Sequence, residues 1–196
     1  MRSKAKRGNV LGHKYIRYTT PKKTERKSNS MNYTVAQLRE YVETIDLTKK
    51  GQKDRLSLYI RIIESMERHN IQDLESRKDV ANLGQLIESL IKAVKKGYEH
   101  GYYSRCNVAD YKDGNGGWEI KVSSSHNSLC TPFNKPKRVM FVTPKGVAVL
   151  SKATISDLME SCDSEYIKLD DKGIRLKISA LELGKQVKWL NEVLGF

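Results

Sequence analysis

The sequence predicts an α+β fold: a helix, a mixed and mostly antiparallel sheet and a closing helix, preceded by a small helical module. Three observations lead there. Apolar residues recur at helical spacing through the first half of the chain, short β-rich runs separated by turn signals take over from Tyr102, and positive charge is concentrated at one end. The 196 residues suit one ordinary domain plus a small attachment, with enough apolar content for a real core.

The attachment is the basic arm, residues 1–30. It holds ten Lys/Arg against the single acid Glu25, and so carries +9 of the formal +13. The rest of the chain is only mildly basic, with 26 basic and 22 acidic side chains. A polycationic arm gains affinity for nucleic acid by releasing condensed counterions, without reading sequence. The three cysteines, Cys106, Cys130 and Cys162, form no CxxC pair, which argues against both a disulfide framework and a zinc knuckle. No apolar run is long enough to cross a bilayer and the arm lacks a signal-peptide core, so the expectation is a soluble intracellular protein, cytoplasmic or nucleoid-associated, with no membrane partner.

Thr34, with Gln37 three residues later, makes a capping-box start for a helix whose apolar positions are Val35, Leu38, Tyr41, Val42 and Ile45. After the bend "TKKGQ", a second helix over "KDRLSLYIRIIESMERH" places Leu56, Tyr59, Ile60 and Ile63 on one side. Together they form a module over residues 31–70, and 71–78 read as a connector. The segment 79–101 is a strongly periodic helix with Leu83, Leu86, Ile87, Leu90, Ile91 and Val94 as its stripe and Glu88 at the stripe's edge. "YYSRCNVADY", "WEIKVSS", "RVMFVT", "GVAVLS", "YIKLD" and "IRLKIS" read as strands, with "TPKG" and "DDKG" as tight hairpin turns. A helix around "ISDLMESC" interrupts the series, and "ALELGKQVKWLNEVL" closes the chain as an amphipathic helix. The α+β domain therefore spans 79–196.

Within 31–70, Leu38, Val42, Leu47, Gly51, Lys53 and Leu56 are spaced as in the SAP motif, a helix–loop–helix DNA-binding unit that this stretch resembles. The resemblance implies that Lys49, Lys50, Lys53 and Arg55 approach phosphates at the amino end of the second helix, where backbone N–H groups also favour an anion.

The chemistry concentrates in "NVADYKDGNGGWEIKVSSSHN", residues 107–127. Strand alternation puts Glu119 and Lys121 on one face while Trp118, Ile120 and Val122 point to the core. A strand ending near Asp110 would run antiparallel through the bend "KDGNGG" and bring Asp110 close to Glu119. Two carboxylates held together repel, and a hard divalent cation is the usual compensation. A neighbouring lysine then positions or deprotonates a water for attack on a phosphodiester. The chain holds four [DE]-x-K tripeptides, of which only "EIK" has an apolar middle residue on a β-rich run.

This arrangement resembles the PD-(D/E)xK nuclease family. Asp110 matches the family's hairpin aspartate, Glu119-Ile120-Lys121 its tripeptide and Glu88 the acid of its first core helix, with Asp113 as the alternative metal ligand; the spacing is similar to that of PvuII-type restriction endonucleases. The resemblance implies a restriction-endonuclease-like core and an endonuclease that hydrolyses duplex DNA with Mg²⁺, or Mn²⁺ in its place. Asp110 and Glu119 would hold the metal, Lys121 would handle the water, and Glu88 would assist the metal or orient Lys121. Ser123, Ser124, Ser125, His126 and Asn127 are expected to contact phosphates or base edges, and Lys135, Lys137 and Arg138 to clamp the backbone. Cutting both strands fits a homodimer with one site per strand. The rival expectation is a non-catalytic DNA-binding or architectural protein that relies on the arm and the helical module.

Overall fold

Thr34 begins the first helix as its capping box requires. In the computed structural model, which describes residues 30–77, 81–94, 111–113, 116–123, 127–130, 138–170 and 173–196, the Thr34 hydroxyl accepts from Gln37 N at 3.3 Å and the Gln37 amide oxygen accepts from Thr34 N at 2.9 Å. The chain runs from β1 (Ser30–Thr34) into α1 (Val35–Glu43), then α2 (Gln52–Arg68) and β2 (Asp73–Arg77). Gly51, at φ 80, turns the backbone into α2 through the left-handed region that glycine enters without a Cβ clash.

Two expectations need correction here. Residues 73–77 are no connector: they form β2, which pairs antiparallel with β1, Met31 opposite Ser76 and Thr34 opposite Asp73. The strand buries Leu74 and Ser76 and exposes Asp73 and Glu75, so its alternation is carried by one apolar residue and one serine, too little to stand out from a loop. On α2 the buried positions are Leu58, Tyr59, Ile62, Ile63 and Met66, whereas Ile60 is 42% exposed. Tyr59 and Ile63 of the expected face are buried, but the apolar arc is wider than one stripe and extends through Leu58 and Ile62, so packing centres the buried face there and leaves Ile60 out.

The second half contains α3 (Leu83–Val94), β3 (Tyr111–Asp113), β4 (Gly116–Val122), β5 (Asn127–Cys130), β6 (Arg138–Thr143), β7 (Gly146–Leu150), α4 (Lys152–Ser161), β8 (Ile167–Asp170), β9 (Gly173–Lys177), a 3-10 helix (Ile178–Leu183), β10 (Lys185–Gln186) and α5 (Lys188–Leu194). The fold is α+β. A mixed sheet in the order β10-β7-β6-β4-β3 is antiparallel throughout except for β4 and β6, which are parallel and joined by a crossover; β5, β9 and β8 form a separate antiparallel sheet. Both tight turns fall where "TPKG" and "DDKG" place them, with Thr143 opposite Gly146 and Asp170 opposite Gly173.

The closing segment departs from the single helix its periodicity predicts. It divides into the 3-10 helix, β10 and α5, with the break at Gly184. There the chain lies against β7 so closely that a Cβ on Gly184 would stand 2.7 Å from the Ala148 Cβ and 3.2 Å from the Val149 carbonyl oxygen. Lys185 and Gln186 then pair with Val149 and Ala148 as an edge strand.

Register fixes the two faces of the mixed sheet. Ile120, Met140, Val142 and Val147 face a core shared with Leu38, Leu58, Ile62, Leu86, Leu90 and Leu190, so α1, α2, α3 and α5 are packed on one side as one apolar body with the sheet. Val139, Phe141 and Leu150 face a second core with Ile155 and Leu158 of α4, Ile167 of β8 and Leu176 of β9. At the far end, Arg61 of α2 donates to the carbonyls of Leu194 and Gly195, Arg68 donates to Glu192 O at 2.9 Å, and the Arg61 guanidinium lies 4.1 Å from the Phe196 ring centroid. No helix among the described residues is long and apolar enough to cross a membrane.

Candidate active site

Strand β4 carries the acid and the base that the tripeptide predicts on a common face. Its register with β6 sets Glu119 beside Val139 and Lys121 beside Phe141, the face of the second core, while Ile120 is buried in the first core with Trp118 and Val122 packed against it. Lys121 Nζ donates to Glu119 Oε1 at 2.5 Å. The side chains are only 21% and 16% exposed, so this is a largely dehydrated ion pair and not a solvated ornament of a strand. A charge-assisted bond of that length fixes both headgroups. Placing such a pair in a sheet flanked by a second hydrophobic layer sets a polar site into an otherwise apolar surface.

The strand before the tripeptide strand runs antiparallel to it, as expected, with Tyr111 opposite Trp118, but the ladder takes in four residues of the expected bend, Lys112 opposite Gly117 and Asp113 opposite Gly116. Asp110 lies outside the described residues. Asp113 is the register partner of Gly116, three positions along β4 from Glu119.

Glu88 is not brought to this pair. It lies on α3, on the side turned to β1 and β2, and lines a small polar cleft with Ser30, Glu75, Ser76, Gln85, Ser89 and Lys92. The sheet stands between α3, which packs on the face of Ile120, and the opposite face that holds Glu119 and Lys121. The periodicity places Glu88 correctly at the edge of the helical stripe, but an edge has two sides and tertiary packing decides which one meets the sheet.

Of the expected DNA contacts after the tripeptide, Ser123 is 3% exposed and its N–H continues the parallel ladder to Val142 O at 2.9 Å, so it is part of the interior and not of a binding surface. Ser124, Ser125, His126, Lys135 and Lys137 lie outside the described residues, and Asn127 opens β5 opposite Lys177. Arg138 is the register partner of Trp118, and its guanidinium lies 4.9 Å from that ring's centroid, a cation–π contact on the face opposite Glu119.

The first turn of α2 presents Lys53 to solvent, and the α1–α2 loop presents Lys49 and Lys50. Asp46 shapes it, accepting from Thr48 N at 3.0 Å and Thr48 Oγ1 at 2.5 Å with Lys49 Nζ at 3.5 Å. These bonds, Thr48's side chain first, hold the Asp46 carboxyl below its ordinary value against the opposing effect of desolvation. Arg55 turns inward instead: it donates to Tyr59 Oη at 3.0 Å and Tyr41 Oη at 3.3 Å, tying α1 to α2. Burial pushes the Tyr59 phenol far above its ordinary value, with Arg55 opposing, and its hydroxyl donates to the Ala81 carbonyl.

Sequence reasoning did not single out a cleft of about 290 Å³ on the Trp118 face, lined by Trp118, Met140, Val149, Val187 and Trp189 with Lys185, Gln186 and Lys188 at its rim. Its components come from four strands and a helix, and only the scarcity of tryptophan marks them in the sequence.

The fold and the pair together define an α+β protein with a mixed sheet that carries a dehydrated Glu–Lys couple on its tripeptide strand. No family model, curated protein or solved structure matches the chain.

Proposed function

We propose that the chain is a Mg²⁺-dependent endodeoxyribonuclease with a core of the PD-(D/E)xK kind, in which Glu119 and Lys121 belong to the catalytic centre. The observation that carries the reading is the 2.5 Å pair on one face of β4, 16% and 21% exposed, on a strand with an antiparallel partner before it and a parallel crossover partner after it. A solvent-facing Glu–Lys pair has no need of a second layer around it; a site that must exclude water from a reacting phosphate does.

Among the described residues no three His, Cys, Asp or Glu side chains stand together as a ready metal cage. Mg²⁺ rarely has such a cage, being held by one or two carboxylates with waters and substrate oxygens, and Glu119 is a donor of the right type. The reading requires the β3–β4 ladder to run one residue further, so that Asp110 stands opposite Glu119; Asp113, paired with Gly116, is the weaker choice. A metal held by Asp110 and Glu119 would supply positive charge against the charge developing on the phosphate oxygens. Lys121, fixed by Glu119, orients the attacking water and donates to the phosphate. Lys49 and Lys50 on the α1–α2 loop and Lys53 in the first turn of α2 are exposed and offer duplex contacts, although their helices pack on the sheet face opposite the pair. Glu88 has no place in this centre.

Plasmid nicking in Mg²⁺ and in EDTA tests the assignment. Wild type cuts only with the metal, and Lys121→Ala loses cutting while retaining DNA binding in a gel-shift assay. DNA binding by wild type without any cutting in Mg²⁺ or Mn²⁺ would instead establish the non-catalytic DNA-binding reading, which the exposed lysine loop supports equally.

A further inference from the structure

The cleft on the opposite sheet face has the chemistry of a nucleotide site. Met140, Val149 and Lys185 form one cross-strand row over β6, β7 and β10, and Trp118 and Trp189 complete the walls. Arg138 stacks on Trp118 at 4.9 Å and steadies the ring. The Trp118 indole N–H is buried and has no acceptor among the described residues. Lys185 and Lys188 are exposed at the mouth, where the edge strand meets α5. A volume of about 290 Å³ lies at the lower end of ordinary ligand pockets, room for one planar ring system and not for stacked base pairs.

Aromatic walls and two lysines at the rim call for a flat π-faced group with an attached anion. We propose that this cleft binds one nucleotide of an unpaired DNA strand: the base lies against the indoles, and the adjoining phosphates meet Lys185 and Lys188. The inference rests on the nucleic-acid reading above but not on cleavage, because the cleft and the Glu119–Lys121 pair are on opposite faces of the sheet.

The chain's two tryptophans both line the cleft, so its entire tryptophan emission reports occupancy. The test uses the full chain in EDTA with an oligothymidylate about eight nucleotides long, within the usual ~4–16 nucleotide site sizes, and an abasic oligomer of equal length. The oligothymidylate quenches the emission, the abasic oligomer binds through the basic residues without quenching, and thymidine monophosphate quenches at higher concentration. Trp189→Ala weakens oligothymidylate binding about 5- to 100-fold, as expected for loss of base stacking. Charge reversal at the exposed rim, Lys185→Glu with Lys188→Glu, does not threaten the core and lowers the salt slope by about 0.7 for each phosphate no longer neutralised.

Equal quenching by the abasic oligomer, or anisotropy showing oligothymidylate binding with unchanged emission, overturns the proposal. Binding by neither oligomer overturns the proposal, and a gel shift with duplex DNA then decides separately whether the nucleic-acid reading stands. Quenching without plasmid nicking in Mg²⁺ leaves the cleft standing and removes only the nuclease, whereas nicking without quenching removes only the cleft.

Discussion

Replacing Lys121 with methionine keeps the aliphatic stem and deletes the ammonium that Glu119 holds at 2.5 Å. With the two side chains 21% and 16% exposed, each charge has lost most of its water. Attraction between unit charges is about 4 kcal/mol at 4 Å in an effective dielectric of about 20, and the desolvation of two ions offsets much of it. The intact pair is therefore nearly neutral for stability, but the single deletion is not, because a carboxylate remains in a place prepared for a pair. Breaking a fully buried pair costs about 3–5 kcal/mol, and the residual exposure here reduces the expected loss for Lys121→Met to about 1–3 kcal/mol. Glu119→Gln/Lys121→Met removes both charges and recovers at least half of that loss. Urea unfolding of the four proteins, followed by far-ultraviolet circular dichroism, gives the coupling directly, expected at about 1–2 kcal/mol. Additive effects, within about 0.3–0.5 kcal/mol, would show that the two side chains do not interact and would remove the physical basis of the site. The same measurements separate lost folding from lost chemistry in any nicking assay.

Three further outcomes follow from other parts of the molecule. Gly184→Ala forces a methyl to 2.7 Å from Ala148 Cβ and close to the β7 backbone, and thermal unfolding should show a loss of about 1–3 kcal/mol. Thr48 holds the Asp46 carboxyl below its ordinary value, so this stabilisation is complete above the usual carboxylate pKa and is lost as the pH falls through the lowered one; the stability difference between wild type and Thr48→Val is therefore present at neutral pH and vanishes in acid. Lys49→Glu, Lys50→Glu and Lys53→Glu together reduce duplex affinity, and the slope of log affinity against log salt should fall by about 0.9 for each phosphate deprived of its lysine.

What the sequence discloses is whatever is decided locally. The capping box at Thr34 and Gln37, the stripe from Leu83 to Ile91, the two-residue turns and the alternation along Trp118–Val122 each depend on neighbours a few positions apart, and each is found as predicted. Features decided by distant partners are missed. Residues 73–77 become a strand only because 30–34 lie beside them, and the helix expected over the last segment breaks because β7 leaves no room for a Cβ at Gly184. The candidate site divides along the same line. The shared face of Glu119 and Lys121 follows from alternation, whereas their dehydration depends on layers contributed by later segments, and the position of Glu88 depends on which flank of α3 meets the sheet.

Arg61 and Arg68 clasp the carbonyls of residues 192–195, and Leu190, Val193 and Leu194 complete the core of the early helices. During synthesis, α1 and α2 must therefore wait with part of their apolar surface uncovered until residues 190–194 have emerged. Such long-range closure slows folding and prolongs exposure to self-association. Closure of the early core thus waits on a segment whose Glu192 follows Arg68 by 124 positions.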